Sequence, residues 1–157
     1  MRIVDLMSEA LVIPDLQGVT RDEVLGELVS CIVAATPSID ASLAFRVFQE
    51  RERIGSTGVG QGLAIPHARL PSLDTAVACF ARSRAGVEFK ALDGQPTHLF
   101  LALLAPAGNA GFHLKALARA SRMFKDSSFR ARLMTCEDAA GLWAALTEKD
   151  NALSLQP

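Results

Sequence analysis

Two rhythms of apolar residues divide the chain. Thr20-Arg21-Asp22-Glu23 opens the first. The Thr20 hydroxyl can take an unpaired amide of a first turn while Glu23 reaches back, which is a capping box. Behind it Val24, Leu25, Leu28, Val29, Ile32 and Val33 recur at helical spacing, until Pro37 breaks the chain. Leu43, Ala44, Val47 and Phe48 repeat that spacing from about Asp40, predicting a second helix that ends before Gly55. The rhythm then shortens. Leu63-Ala64-Ile65 reads as a short strand, and Thr75 to Arg82 as a strand covered on both faces. Val87 to Lys90 alternates like an edge strand, Asp93-Gly94-Gln95-Pro96 is a turn, and His98 to Ala105 is the central strand. Upstream, Leu11-Val12-Ile13 is a short strand stopped by Pro14. Three helices are predicted at the end, near Gly111–Lys125, Ser127–Met134 and Glu137–Thr147, with Thr135 and Asp138 capping the last.

Helices before, between and after strands with hairpin-length links predict an α/β fold: a single mixed sheet of about five strands with helices on both faces. Residues 5–148 read as one domain and 149–157 as a loose C-terminal tail.

Composition narrows the function. The chain has 157 residues, half of them apolar, so a sizeable core can form. The net charge of −1 offers no basic excess for nucleic acid. The longest apolar run, Leu99 to Ala107, is about half of what a bilayer needs and contains Pro106, so no membrane insertion is expected. Met1-Arg2-Ile3-Val4-Asp5 lacks the regions of a signal peptide, which predicts a cytoplasmic protein. Cys31, Cys79 and Cys136 have no metal or disulfide spacing and read as reduced core residues.

The candidate chemistry lies in Gly55-Ser56-Thr57-Gly58-Val59-Gly60-Gln61-Gly62, followed by Leu63-Ala64-Ile65-Pro66-His67. Four glycines in eight residues allow left-handed backbone and exposed amides that favour anions. The nucleotide motifs fail. A P-loop needs Lys-Ser/Thr where Gln61-Gly62 stands, and Leu63 occupies the third glycine of a dinucleotide fingerprint. Ser56 directly follows Gly55, so no nucleophile elbow exists. Pro66 lacks a ladder donor, so His67 is expected at a strand end within reach of the loop. A neutral imidazole is a competent nucleophile near pH 7, and phosphoryl transfer needs donors around the phosphoryl oxygens. Arg51, Ser56, Thr57, the loop amides such as that of Gly58, and Arg69 are candidates. Val59, Leu63 and Leu70 are candidates for an apolar docking rim. The three histidines, His67, His98 and His113, lie 31 and 15 residues apart without metal-ligand spacing, and the chemistry calls for no cofactor. His98 carries no motif and reads as structural or exposed.

The stretch Arg51 to His67 closely resembles the active-site signature of the fructose/mannitol-type enzyme IIA domains of the bacterial phosphoenolpyruvate-dependent phosphotransferase system. GSTG followed by IPH is most similar to their nitrogen-regulatory branch. Phe89-Lys90-Ala91-Leu92-Asp93-Gly94-Gln95-Pro96 and His113-Leu114-Lys115-Ala116-Leu117 extend the resemblance, which spans about Asp5 to Thr147. Ala68-Arg69 stands where many relatives have Gly-Lys, with the charge kept. The resemblance implies a phosphohistidine on His67, a donor of the HPr type (a small histidine phosphocarrier), and a mixed five-stranded sheet. It also implies that His113 binds the phosphoryl oxygens and that Arg51 lies beside the active histidine. Three functions compete: a component feeding a sugar transporter, a regulator of other proteins through its phosphorylation state, and a nucleotide-binding enzyme. The failed motifs weigh against the third. The wording of the motif and the lack of a fused membrane segment or second phosphocarrier domain favour the regulator.

Overall fold

The computed structural model describes residues 1–155. Two short 3-10 turns, Ile3–Leu6 and Glu9–Leu11, lead into β1 (Val12–Ile13), α1 (Arg21–Ala35) and α2 (Ala41–Ile54). Three short strands follow, β2 (Gly58–Gly60), β3 (Leu63–Ala64) and β4 (His67–Leu70). Then come the long strands β5 (Val77–Val87) and β6 (Thr97–Pro106), and the helices α3 (Ala110–Phe124), α4 (Ser127–Thr135) and α5 (Ala139–Ser154).

β6 is the central strand. β5 runs antiparallel along one side of it, and β3 and β4 run parallel along the other. Leu63 pairs with Leu99 and His67 with Leu103, so β3 and β4 keep one register. They form a single track interrupted at Ile65-Pro66, because proline brings no N–H to the ladder. The Pro66 carbonyl still accepts from the Leu103 amide at 2.8 Å. Six strand segments thus make five tracks, with β1 beside β5 and β2 beside β3, in a mixed sheet as predicted.

Both faces are covered. Phe100, Ala102 and Leu104 of β6, with Cys79 and Ala81 of β5, join the core under α1 and α2. The alternate residues Leu99, Leu101 and Leu103, with Ala78 and Phe80, meet α3, α4 and α5. Such continuous apolar runs are what burial on both faces requires. The capping box on α1 is formed: the Thr20 hydroxyl accepts from the Glu23 amide, and the Glu23 carboxylate accepts from the Thr20 amide at 3.1 Å.

Several elements differ from the expectation. Val87 to Lys90 is not a separate edge strand. β5 itself reaches Val87 through an irregularity after Arg82, and Gly86 takes φ +91° there. Beyond it only Thr20 and Glu88 bridge, and Lys90 turns left-handed at φ +56°. α5 does not stop at Thr147 with a loose tail behind it. It continues to Ser154, since Leu153 is buried and Asp150, wholly buried, pairs with Arg119 at 2.6 Å and accepts from the Val4 amide at 2.9 Å. Residues 156–157 of that tail lie outside the described residues. Asp138 alone caps α5; the Thr135 hydroxyl donates back to the Arg132 carbonyl. Of the cysteines only Cys79 is fully buried, while Cys31 and Cys136 are half-buried at the core margins; all three are free.

Candidate active site around two histidines

Leu63, Ile65 and His67 alternate toward the α3–α5 face of their track, whereas Ala64, Ala68 and Leu70 turn toward α1 and α2. Leu63 and Ile65 are buried, but His67 comes where α3 begins and is only half-buried. It opens β4 rather than ending a strand, because the chain resumes its register after Pro66. α3 starts on the Asn109 cap, whose Oδ1 accepts from the Phe112 amide, and so its first turn sets His113 against His67. The two ring centroids are 5.4 Å apart with planes tilted by 52°. The last turn of α2 brings Arg51 to the same groove, which Glu50, Ile54 and Arg69 also line.

The hydrogen bonds assign the tautomer. His67 Nδ1 lies 2.8 Å from the Ile65 carbonyl oxygen, which can only accept, so Nδ1 carries the proton. Arg51 Nε–H then donates to Nε2 at 3.2 Å, so Nε2 carries the lone pair. Arg51 also donates from a terminal nitrogen to the Gly55 carbonyl at 2.8 Å, which ties it to its helix end. Burial pulls the His67 pKa below its ordinary value; the Ile65 carbonyl partly opposes this, and the charge of Arg51 adds to it. Burial also lowers His113, with His67 and Arg69 contributing by charge. Both rings are therefore neutral at pH 7. Nδ1 of His113 is buried without a hydrogen-bond partner among the described residues, while the residue itself lines the groove.

The glycine-rich segment does other work than expected. It is a β2–β3 hairpin whose tip, Gly60, Gln61 and Gly62, is left-handed at φ +94°, +58° and +77°. Asp93 pins the tip by accepting from the Gln61 amide at 3.0 Å. Ser56, Thr57 and Gly58, expected as phosphoryl donors, make hydrogen bonds to the surrounding structure and to one another. The Ser56 hydroxyl donates to the Phe89 carbonyl at 3.1 Å and accepts from the Gly58 amide at 3.0 Å. Thr57 is buried, and both its amide and its hydroxyl donate to Glu52. Gly58 serves close packing, for a Cβ there would meet Ala91 at 3.0 Å. The expected apolar rim is also different. Leu63 and Leu70 are buried, and exposed Val59 lines a separate cleft with Lys125 and Arg130. Ile54, 84% exposed, lines the groove with the two histidines, and Leu114, 67% exposed, follows His113 along the chain. Arg53 is exposed. His98, five pairs along β6 from the partner of His67 and so about 16 Å away, bonds the Ser83 carbonyl at 2.8 Å and serves structure. Glu52 was not singled out from sequence. Its one signal was an acid in the last turn of a helix, between two arginines.

Residues 5–149 match the family described as phosphoenolpyruvate-dependent sugar phosphotransferase system, EIIA 2. A nitrogen regulatory protein of Bradyrhizobium diazoefficiens is 36% identical over 93% of this chain and 95% of its own length. The fructose-specific EIIABC component of Bacillus subtilis is 30% identical over 96% of this chain, which spans 24% of that larger protein. The crystal structure of nitrogen regulatory protein IIA-Ntr from Neisseria meningitidis superposes with a TM-score of 0.85 at 32% identity, covering 92% of this chain and 98% of that one. Among the described residues no helix is long and apolar enough to cross a membrane. With its paired neutral histidines on a covered mixed sheet, the chain belongs to the EIIA 2 family of the phosphoenolpyruvate-dependent sugar phosphotransferase system.

Proposed function

We propose that Nε2 of His67 accepts a phosphoryl group from an HPr-type histidine phosphocarrier, and that the protein acts in the cytoplasm as a nitrogen-type regulatory enzyme IIA. The observation that carries the reading is the locked tautomer. Nδ1–H is held by the Ile65 carbonyl, and so the lone pair of Nε2 is directed into the groove beside His113 and Arg51. In the transfer, the Nε2 lone pair attacks phosphorus and a new P–N bond forms. The P–N bond to the donor imidazole breaks, and its electron pair stays with the donor. Nδ1 keeps its proton against Ile65. Arg51 exchanges its bond to Nε2 for one to a phosphoryl oxygen, and His113 supplies a second polar contact.

The regulatory assignment draws on two nitrogen regulatory relatives, from Bradyrhizobium diazoefficiens and Neisseria meningitidis, that match along nearly their whole lengths. A phosphoryl group adds about −1.5 to −2 charge at pH 7 to a groove lined by the exposed Ile54. Target proteins that dock there are repelled or recruited by that charge without a change of fold. The fructose-specific relative supports the alternative, a sugar-uptake component.

The test is transfer of radiolabel from a phosphorylated HPr-type carrier. Wild type takes up label that is lost in acid and kept in alkali, and His67→Ala takes none. Label persisting in folded His67→Ala refutes the acceptor. Rapid onward transfer to a fructose-type IIB domain would replace the regulatory reading by the sugar one.

A further inference from the structure

We propose that Glu52 is a positioning residue for His67, holding the imidazole in one tautomer and one aim through Thr57 and Ile65. The inference rests on the assignment of His67 as the acceptor. Glu52 sits in the last turn of α2, where the partial negative charge of the helix end disfavours an acid and favours the neighbouring Arg51 and Arg53. It is also 3% exposed, and none of the ion pairs among the described residues includes it. A buried carboxylate at a negative helix end is locally unfavourable, and departures of that kind gather at functional sites.

The compensation is a chain of contacts that ends on the reactive ring. The Glu52 carboxylate accepts from the Thr57 amide at 3.1 Å and from the Thr57 hydroxyl. The Thr57 carbonyl accepts from the Ile65 amide at 3.0 Å. The Ile65 carbonyl accepts from His67 Nδ1 at 2.8 Å. Ile65 precedes the proline that interrupts the track, so regular pairing does not fix its peptide continuously, and the anchored Thr57 does so from the side. Two consecutive residues of α2 thereby register both nitrogens of one imidazole: Arg51 directly at Nε2, Glu52 by relay at Nδ1. The hydrogen bonds, rather than the charge, do the holding. A glutamine of the same length keeps the bond from the Thr57 amide at its Oε1 and reverses the other, its Nε2–H donating to the Thr57 hydroxyl oxygen, whereas an alanine makes neither.

The experiment reads the ring itself. ¹⁵N-edited NMR of unphosphorylated protein reports which nitrogen of His67 is protonated, and label transfer from the phosphocarrier reports the rate. Wild type and Glu52→Gln should both show the Nδ1–H form and transfer alike. Glu52→Ala should populate both tautomers and transfer about 10²-fold more slowly, the usual penalty for a reacting group misplaced by about 1 Å. If Glu52→Ala does not fold, Glu52→Asp, too short to reach Thr57 at both atoms, should give the same mixed tautomers. A folded Glu52→Ala (or Glu52→Asp in its place) with a single Nδ1–H tautomer and the wild-type rate overturns the proposal. So does a Glu52→Gln that behaves like Glu52→Ala, since charge would then be the cause. The ring spectra need no phosphoryl donor. A wild type that takes no label removes the acceptor assignment and leaves the test of Glu52 intact.

Discussion

Replacing Arg51 by alanine separates two opposed effects at His67. In the resting site the guanidinium occupies the Nε2 lone pair at 3.2 Å, the long end of the hydrogen-bond range, and it must leave before Nε2 can attack. Losing that contact relieves the resting state by about 1 kcal/mol. In the proposed transfer the same guanidinium then meets the phosphoryl oxygens, where deleting one such donor costs about 2.7–4 kcal/mol. The difference is about 2–3 kcal/mol, which slows label transfer about 30- to 150-fold. Protonation does not account for that loss. Burial, the first cause of the lowered His67 pKa, remains in the variant, so the ring is still neutral at pH 7.5. The charge of Arg51 does lower the pKa, however, so its removal raises it. The acid limb of the rate profile must therefore move to higher pH. The assay is initial label uptake from the phosphocarrier between pH 5.5 and 8. A rate at pH 7.5 equal to or above wild type would show that Arg51 only guards the lone pair. An acid limb moving to lower pH would refute the charge argument.

Three further outcomes are expected. His113→Ala should slow transfer about 10²-fold while His67 still takes the label, as for loss of one positioned donor; unchanged kinetics would make His113 a packing residue. Asp150→Ala leaves Arg119 and the Val4 amide without their buried partner and should cost about 3–5 kcal/mol in urea unfolding, whereas a change below about 1 kcal/mol would show that the pair holds nothing together. Gly62→Ala, at φ +77° with only His98 nearby at 3.9 Å, should destabilise by about 1–2 kcal/mol yet keep label uptake, and a stable variant that loses uptake would return the hairpin tip to the phosphoryl site.

The main helices, the two long strands and the candidate histidine were readable from local pattern. Val24 to Val33 and His98 to Ala105 carry their periods because one face or both must be buried, and burial is imprinted residue by residue. The capping box at Thr20 and the proline before His67 act within four residues of chain, and so they too could be read. The uses of the side chains could not. Ser56 and Thr57 look like phosphoryl donors until Phe89, 33 residues downstream of Ser56, and Glu52 claim their hydroxyls. The end of α5 looks like a polar tail until Asp150 finds Val4, 146 residues away. Arg51 meets Nε2 because α2 packs beside β4, and His113 meets His67 because β6 runs parallel to β4 and delivers α3 at the same end of the sheet. Periodicity records whether a residue is covered. Which partner covers it depends on where the chain returns, and for polar groups whose hydrogen bonds need angstrom precision, that return decides the chemistry.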